Sequence, residues 1–154
     1  QNLFYSDDLV GAREAVEEVL RDAPHMNEAL LLSARLHERS TDPLSAVRQL
    51  DQILQVEPRN VEALTLRGWI LVRVDDPEVQ DEGIRNLDQA VGLQPEGYDT
   101  YVFRGFVARE LQDDFELAIR MYQMALDRDP PEAMQAQLGR IIEEMRLEEG
   151  SKSE

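Results

Sequence analysis

The chain has no cysteine, a single lysine and few aromatic residues, 6% of its 154 positions. Without cysteine there are no disulfides, no thiolate metal ligands and no thiol nucleophile, and any compartment is allowed. Lys152 is the only lysine; the other fifteen cations are arginines. No apolar run approaches the roughly 18 residues a membrane span needs, and no signal peptide or initiator methionine is present. The sequence begins in mid-pattern, which predicts that it is a piece of a longer protein, and it leaves the compartment open. Positive charge is also scarce. The net charge is −16 and the isoelectric point is near 4.4, so the chain repels phosphates, and nucleic acid and anionic membrane are poor partners.

Catalytic patterns are lacking too. There is no glycine-rich phosphate loop, no G-x-S-x-G and no nucleophile beside a base. His25 and His37 have no carboxylates at ligand spacing. Asp75, Asp76 and Asp81 do not follow the order of a calcium loop. Glu17 and Glu18, like Glu143 and Glu144, are adjacent on helical stretches and point to different faces, so neither pair suits acid–base work. The residues therefore predict no enzyme, no cofactor and no metal.

What is present is a repeat. Hydrophobic content of 42% with few aromatics favours helices packed through Leu, Val, Ala and Met. Pro24, Pro58, Pro95 and Pro130 lie 34, 37 and 35 residues apart. Each follows a helical apolar pattern and precedes a short polar step. Between them the same marks recur. The first unit, 27–60, has Leu30, Ala34, Ala46-x3-Leu50, Ile53 and Pro58. The second, 61–97, has Leu64, Gly68, Gly83-x3-Leu87, Ala90 and Pro95. The third, 98–132, has Tyr101, Gly105, Ala118-x3-Tyr122, Ala125 and Pro130. Each column meets one physical demand. Small residues in the first (A) and second (B) helix of a unit permit close backbone approach, and a large residue four positions later fills the gap between hairpins. The spacing resembles the tetratricopeptide repeat family, whose period is about 34 residues.

The flanks complete the array. Ala12-x3-Val16, Val19 and Pro24 reproduce only a B half, placing a half repeat at 7–26, since Gln1–Ser6 are too short for an A helix. Met134, Leu138, Ile141, Ile142 and Met145 form a stripe that predicts a capping helix over 131–148, with Glu143, Glu144, Arg146 and Glu148 facing water. Residues 149–154 are expected to be disordered. Asp42-Pro43 and Asp76-Pro77 each offer an N-cap followed by a first-turn proline, and Asp113 with Glu116 resembles a capping box. The extra residues of the second unit are assigned to an exposed turn around Val74–Glu82. The expected fold is all-α: one right-handed solenoid domain, 1–148, of antiparallel helix pairs.

What the resemblance implies for function is a concave groove walled by the A helices. The first unit would contribute Glu28, Leu31, Leu32, Arg35, Glu38 and Arg39. The second would contribute Glu62, Thr65, Leu66, Trp69, Val72 and Arg73, and the third Asp99, Val102, Phe103, Phe106, Arg109 and Glu110. The Lys and Asn that clamp an acidic C-terminus in chaperone-binding members are absent from these positions, so such a ligand is not expected. The centre is apolar and aromatic, with Trp69 and Phe106 as the chosen contacts. Leu32, Leu66 and Phe103 fit either groove or inter-repeat core. Across the A helices six arginines face five acids, a net of +1, leaving −17 elsewhere. Arg35, Arg73 and Arg109 fit either ligand carboxylates or neighbouring acids. Arg67 and Arg104 stand where leucine is usual, which predicts a packed stem with a paired head.

The expected role is thus a protein–protein interaction module whose apolar, arginine-flanked groove binds a peptide or amphipathic helix of a partner. The alternative is a scaffold that self-associates through the bare half repeat, forming a homo-oligomer. A narrower resemblance joins the Leu64…Arg67-Gly68-Trp69 opening and the ending from Ala125 to Met134 to the extracytoplasmic tetratricopeptide domains of bacterial cytochrome c biogenesis proteins. It implies a membrane anchor and presentation of apocytochrome; without it, the bacterial cytoplasm is as compatible.

Overall fold

The computed structural model describes residues 3–23, 27–38 and 43–153. Pro24, His25, Arg39 and Asp42 lie outside the described residues, as do the side chains of His37 and Glu38 and the final Glu154. The described chain is helical throughout. Its elements are α1 (Leu3–Asp22), α2 (Asn27–Glu38), α3 (Pro43–Val56), α4 (Val61–Val72), α5 (Pro77–Gly92), α6 (Asp99–Glu110), α7 (Phe115–Leu126) and α8 (Glu132–Lys152). Each helix packs on the next in sequence, and α2, α4 and α6 also pack side by side. This is a solenoid of three hairpins, α2–α3, α4–α5 and α6–α7, with α1 before them and α8 closing the end.

The repeated columns explain the packing. Ala34, Ala46, Leu50 and Ile53 are fully buried in the first hairpin, as are Leu87 and Ala90 in the second and Ala118 and Ala125 in the third. Fully burying one such leucine or isoleucine contributes about 1.5–3 kcal/mol. In the second hairpin glycine replaces both small residues. A Cβ on Gly68 would lie 2.8 Å from the Gly83 carbonyl oxygen, and one on Gly83 would lie 2.9 Å from the Val72 backbone nitrogen. In the third, a Cβ on Gly105 would meet the Tyr122 ring at 2.6 Å.

Helix starts follow local chemistry. Asn60 Oδ1 accepts from the Ala63 amide at 2.9 Å. Asp76 Oδ1 accepts from the Glu78 amide at 2.9 Å, with Pro77 opening α5. At α7 the cap is displaced by one residue from the sequence expectation. Asp114 accepts from the Leu117 amide at 3.0 Å, whereas Asp113 takes a positive φ of 50°. Asp113 reverses the chain, and only the following residue has the geometry of a cap.

Two further expectations are corrected. The extra residues of the second unit are not an exposed loop. α4 ends at Val72 and α5 begins at Pro77, so Gly83 lies six residues into α5, whereas Ala118 lies three into α7. The insertion is one additional helical turn at the start of α5. Three residues are close to the 3.6 of a turn, so the buried face keeps its register. The tail also differs, because α8 continues to Lys152. Ser151 Oγ donates to the Glu148 carbonyl at 2.8 Å, and the Lys152 ammonium lies 4.9 Å from the Phe115 ring centroid. Leu138, Ile142 and Met145 are the buried stripe of α8, joined to the core of α6 and α7.

Candidate functional site

On the face formed by α2, α4 and α6, the start of α6 and the α5–α6 connection enclose a cleft of about 760 Å³. Its wall is aromatic. Phe103 and Phe106 are one turn apart on α6 and share a face, and Trp69 of α4 lies between them. The indole stacks on Phe103 at 4.4 Å and 12° and meets Phe106 edge-on at 5.3 Å. Leu66 and Val61 extend the apolar wall. The floor is polar: Thr65 and Thr100, both buried, share a hydrogen bond of 2.7 Å between their hydroxyls.

The rim is charged. Arg35 Nη2 donates to Glu62 Oε2 at 3.0 Å across α2 and α4, so this arginine pairs with a neighbouring acid. Glu96 and Asp99 stand opposite, exposed, and no ion pair is formed by either among the described residues. Arg73 lies over the Trp69 ring at 5.0 Å, and Arg109 Nε is 3.6 Å from Glu110.

The sequence-chosen contacts are thus divided. Arg35, Thr65, Leu66 and Trp69 line the cleft. Phe106, 40% exposed, stands at its edge against Trp69, and Arg73 covers the same ring. Val72 does not belong there; it is buried with Leu87 and Val107, because its position on α4 faces inward toward α5 and the core side of α6. Leu31 packs on the core of the first hairpin and Val102 on that of the third. Arg109 lies outside the cleft lining, close enough to Tyr122 for their charges to interact. Tyr122 itself is pushed up to about 12 by burial.

Phe103, which the sequence left between core and groove, serves both. Lining residues missed from sequence are Val61 and Thr100 on the A helices and, from the α5–α6 connection, Pro95, Glu96 and Gly97. The placement of that connection depends on Arg128. Its Nε donates to the Pro95 carbonyl at 2.9 Å, Nη1 to the Met124 carbonyl at 2.7 Å and Nη2 to the Tyr101 hydroxyl at 2.8 Å. The polar step after each proline was the available signal, since it leads into the next A helix.

Arg67 and Arg104 have packed stems and paired heads. Arg67 bonds Asp51 at 2.8 Å, Glu82 at 2.7 Å and Asn86 at 2.7 Å. Burial opposes its charge, yet the bonds to Glu82 and Asp51 hold its pKa above the usual arginine value. Arg104 bonds Asp88 at 2.6 Å and Gln112 at 2.8 Å. Neither head reaches the cleft. Among the described residues no group of His, Cys, Asp or Glu could hold a metal, and no described helix is long and apolar enough to cross a membrane.

The fold defines the class: a helical-repeat solenoid of tetratricopeptide type, with an aromatic cleft on one face. Among solved structures, it is similar to two crystal structures of MamA, a tetratricopeptide-repeat protein. One matches with a TM-score of 0.64 at 19% identity over 97% of this chain and 93% of the other. The second gives 0.63, also at 19% identity, over 97% and 87%. No family model and no curated protein matches the sequence. The narrower likeness to cytochrome c biogenesis proteins has no counterpart in these comparisons.

Proposed function

We propose that the chain is a protein-interaction module that receives a peptide or amphipathic helix of a partner protein on the α2–α4–α6 face. One observation carries this reading: a cleft of about 760 Å³ walled by the stacked Trp69–Phe103 pair, with Phe106 against Trp69 at its edge. Rigid aromatic surface beside polar groups binds chain segments at low rotamer cost. Leu31, Val102 and Arg109 are the weaker members of the groove, and Val72 is withdrawn from it.

Selection from a displayed library of random peptides tests the reading. Binders are expected to quench or shift the fluorescence of Trp69, the sole tryptophan. They should lose affinity for Trp69→Ala/Phe106→Ala while far-UV helicity stays nearly constant. Binders that retain full affinity for that double variant would place recognition elsewhere and sink the proposal.

Self-assembly is a second reading, favoured by Val10 and Val19, which are 56% and 43% exposed on α1. A second copy could cover them. Light scattering decides this: a strict monomer at high concentration removes it.

A further inference from the structure

The interaction reading leaves the chemistry of the bound segment open, and the cleft's own charges bear on it. The lining holds one cation, Arg35, and three carboxylates, Glu62, Glu96 and Asp99. Arg35 is committed to Glu62 at 3.0 Å. The residual charge at the mouth is therefore negative, contributed by Glu96 and Asp99, within a chain of net charge −16. This reverses the arginine-flanked groove expected from the A helices alone, because the acids enter from the α5–α6 connection and the first turn of α6.

Burial and polarity change together along the lining. Glu96 and Asp99 are exposed, Leu66 and the stacked Trp69–Phe103 pair are half-buried, and Thr65 and Thr100 are buried and joined through their hydroxyls. The apolar wall and the anionic mouth match a side chain whose aliphatic stem lies along Leu66 and the rings while its cationic, multiply donating head stays at the mouth beside Glu96 and Asp99.

We infer that the partner segment, on the interaction reading above, is basic, and that an arginine or lysine side chain anchors it in the cleft between α4 and α6. An acidic segment would meet Glu96 and Asp99 with like charge, and a purely apolar one would bury them without compensation.

Three displayed peptide libraries, identical except for a fixed central Arg, Glu or Leu, test this. The Arg library should yield most of the binders that depend on Trp69. Their affinity should fall between about threefold and tenfold in Glu96→Gln/Asp99→Asn, the scale of two exposed ion pairs, and should fall with added salt. Glu96→Lys/Asp99→Lys should shift selection toward the Glu library. Equal yields from all three libraries, each still dependent on Trp69, overturn the basic anchor while leaving the interaction reading intact. Binders that ignore Trp69 overturn both. A dimer that becomes monomeric in Glu96→Lys/Asp99→Lys assigns the cleft to a second copy and overturns the inference.

Discussion

Gly68 and Gly83 face each other across α4 and α5 so closely that a Cβ on either would lie 2.8 Å from the other's carbonyl oxygen. The obstacle is backbone on both sides, which cannot rotate away. Gly83→Ala is expected to destabilise the chain by about 1–3 kcal/mol through forced separation of the helices. Gly139 is the control, for a Cβ there meets nothing within 4 Å on the mid-helix surface of α8. Gly139→Ala should stabilise by about 0.5–1 kcal/mol through helix propensity. Urea titrations followed by circular dichroism compare the two, and equal effects would contradict the close approach.

Asp88 and Arg104 should respond unequally to removal. The Arg104 side chain is 6% exposed and that of Asp88 57%. Asp88→Ala leaves a buried guanidinium with only Gln112 to accept from it, at an expected cost of about 1–3 kcal/mol. Arg104→Met keeps most of the packed stem and strands no buried charge, and should cost less than about 1.5 kcal/mol. Thermal melts of the two variants check the order.

The displaced cap of α7 gives a paired test. Asp114→Ala should lose about 1 kcal/mol with its bond to the Leu117 amide. Asp113→Gly should be neutral or stabilising by up to about 1 kcal/mol, because its φ of 50° suits glycine. A larger loss at Asp113 than at Asp114 would restore the capping box read from the sequence.

Tyr122 predicts an alkaline limit. Burial raises its folded pKa to about 12 from the ordinary tyrosine value of 10.0. The unfolded chain therefore ionises first and binds fewer protons, so the contribution is intact below pH 10 and is lost as pH rises toward 12. The slope is about 1.4 kcal/mol per pH unit. Denaturation at a series of alkaline pH values should show that slope reduced in Tyr122→Phe.

The repeat and its small-residue columns were legible because three copies, closed by prolines that with Pro24 lie 34, 37 and 35 residues apart, repeat the same demand. Arg67 and Arg104 were legible as packed stems because polarity in a leucine column requires a partner. What could not be read was anything turning on one residue or one turn. Adjacent aspartates at 113 and 114 offer two caps, and only the left-handed φ of the first decides between them. Three inserted residues suit either a loop or a helical turn. The cleft was half legible, for its aromatic wall follows from helix periodicity. Its acidic mouth depends on where Arg128, in the next turn of the solenoid, holds the Pro95 carbonyl. That contact spans 33 residues and has no local signature.

The arginine pairs also bear on how the solenoid comes apart. Asp51–Arg67 ties α3 to α4, and Asp88–Arg104 ties α5 to α6, so two junctions between successive hairpins carry the same key. At the junction of α1 with α2 the corresponding positions are Glu17 and Ser33, which lack the Asp–Arg pairing of the other two; Ser33 accepts from Gln49 of its own hairpin at 2.7 Å. In a linear array, stability is a sum of unit terms and nearest-neighbour terms. As the leading element, α1 packs on α2 alone among the described helices, so opening should begin there. Amide hydrogen exchange is expected to be fastest in α1 and slowest in α4 to α7. The cleft lies past the first keyed junction, and the chain can release its leading helix while the aromatic wall stays assembled.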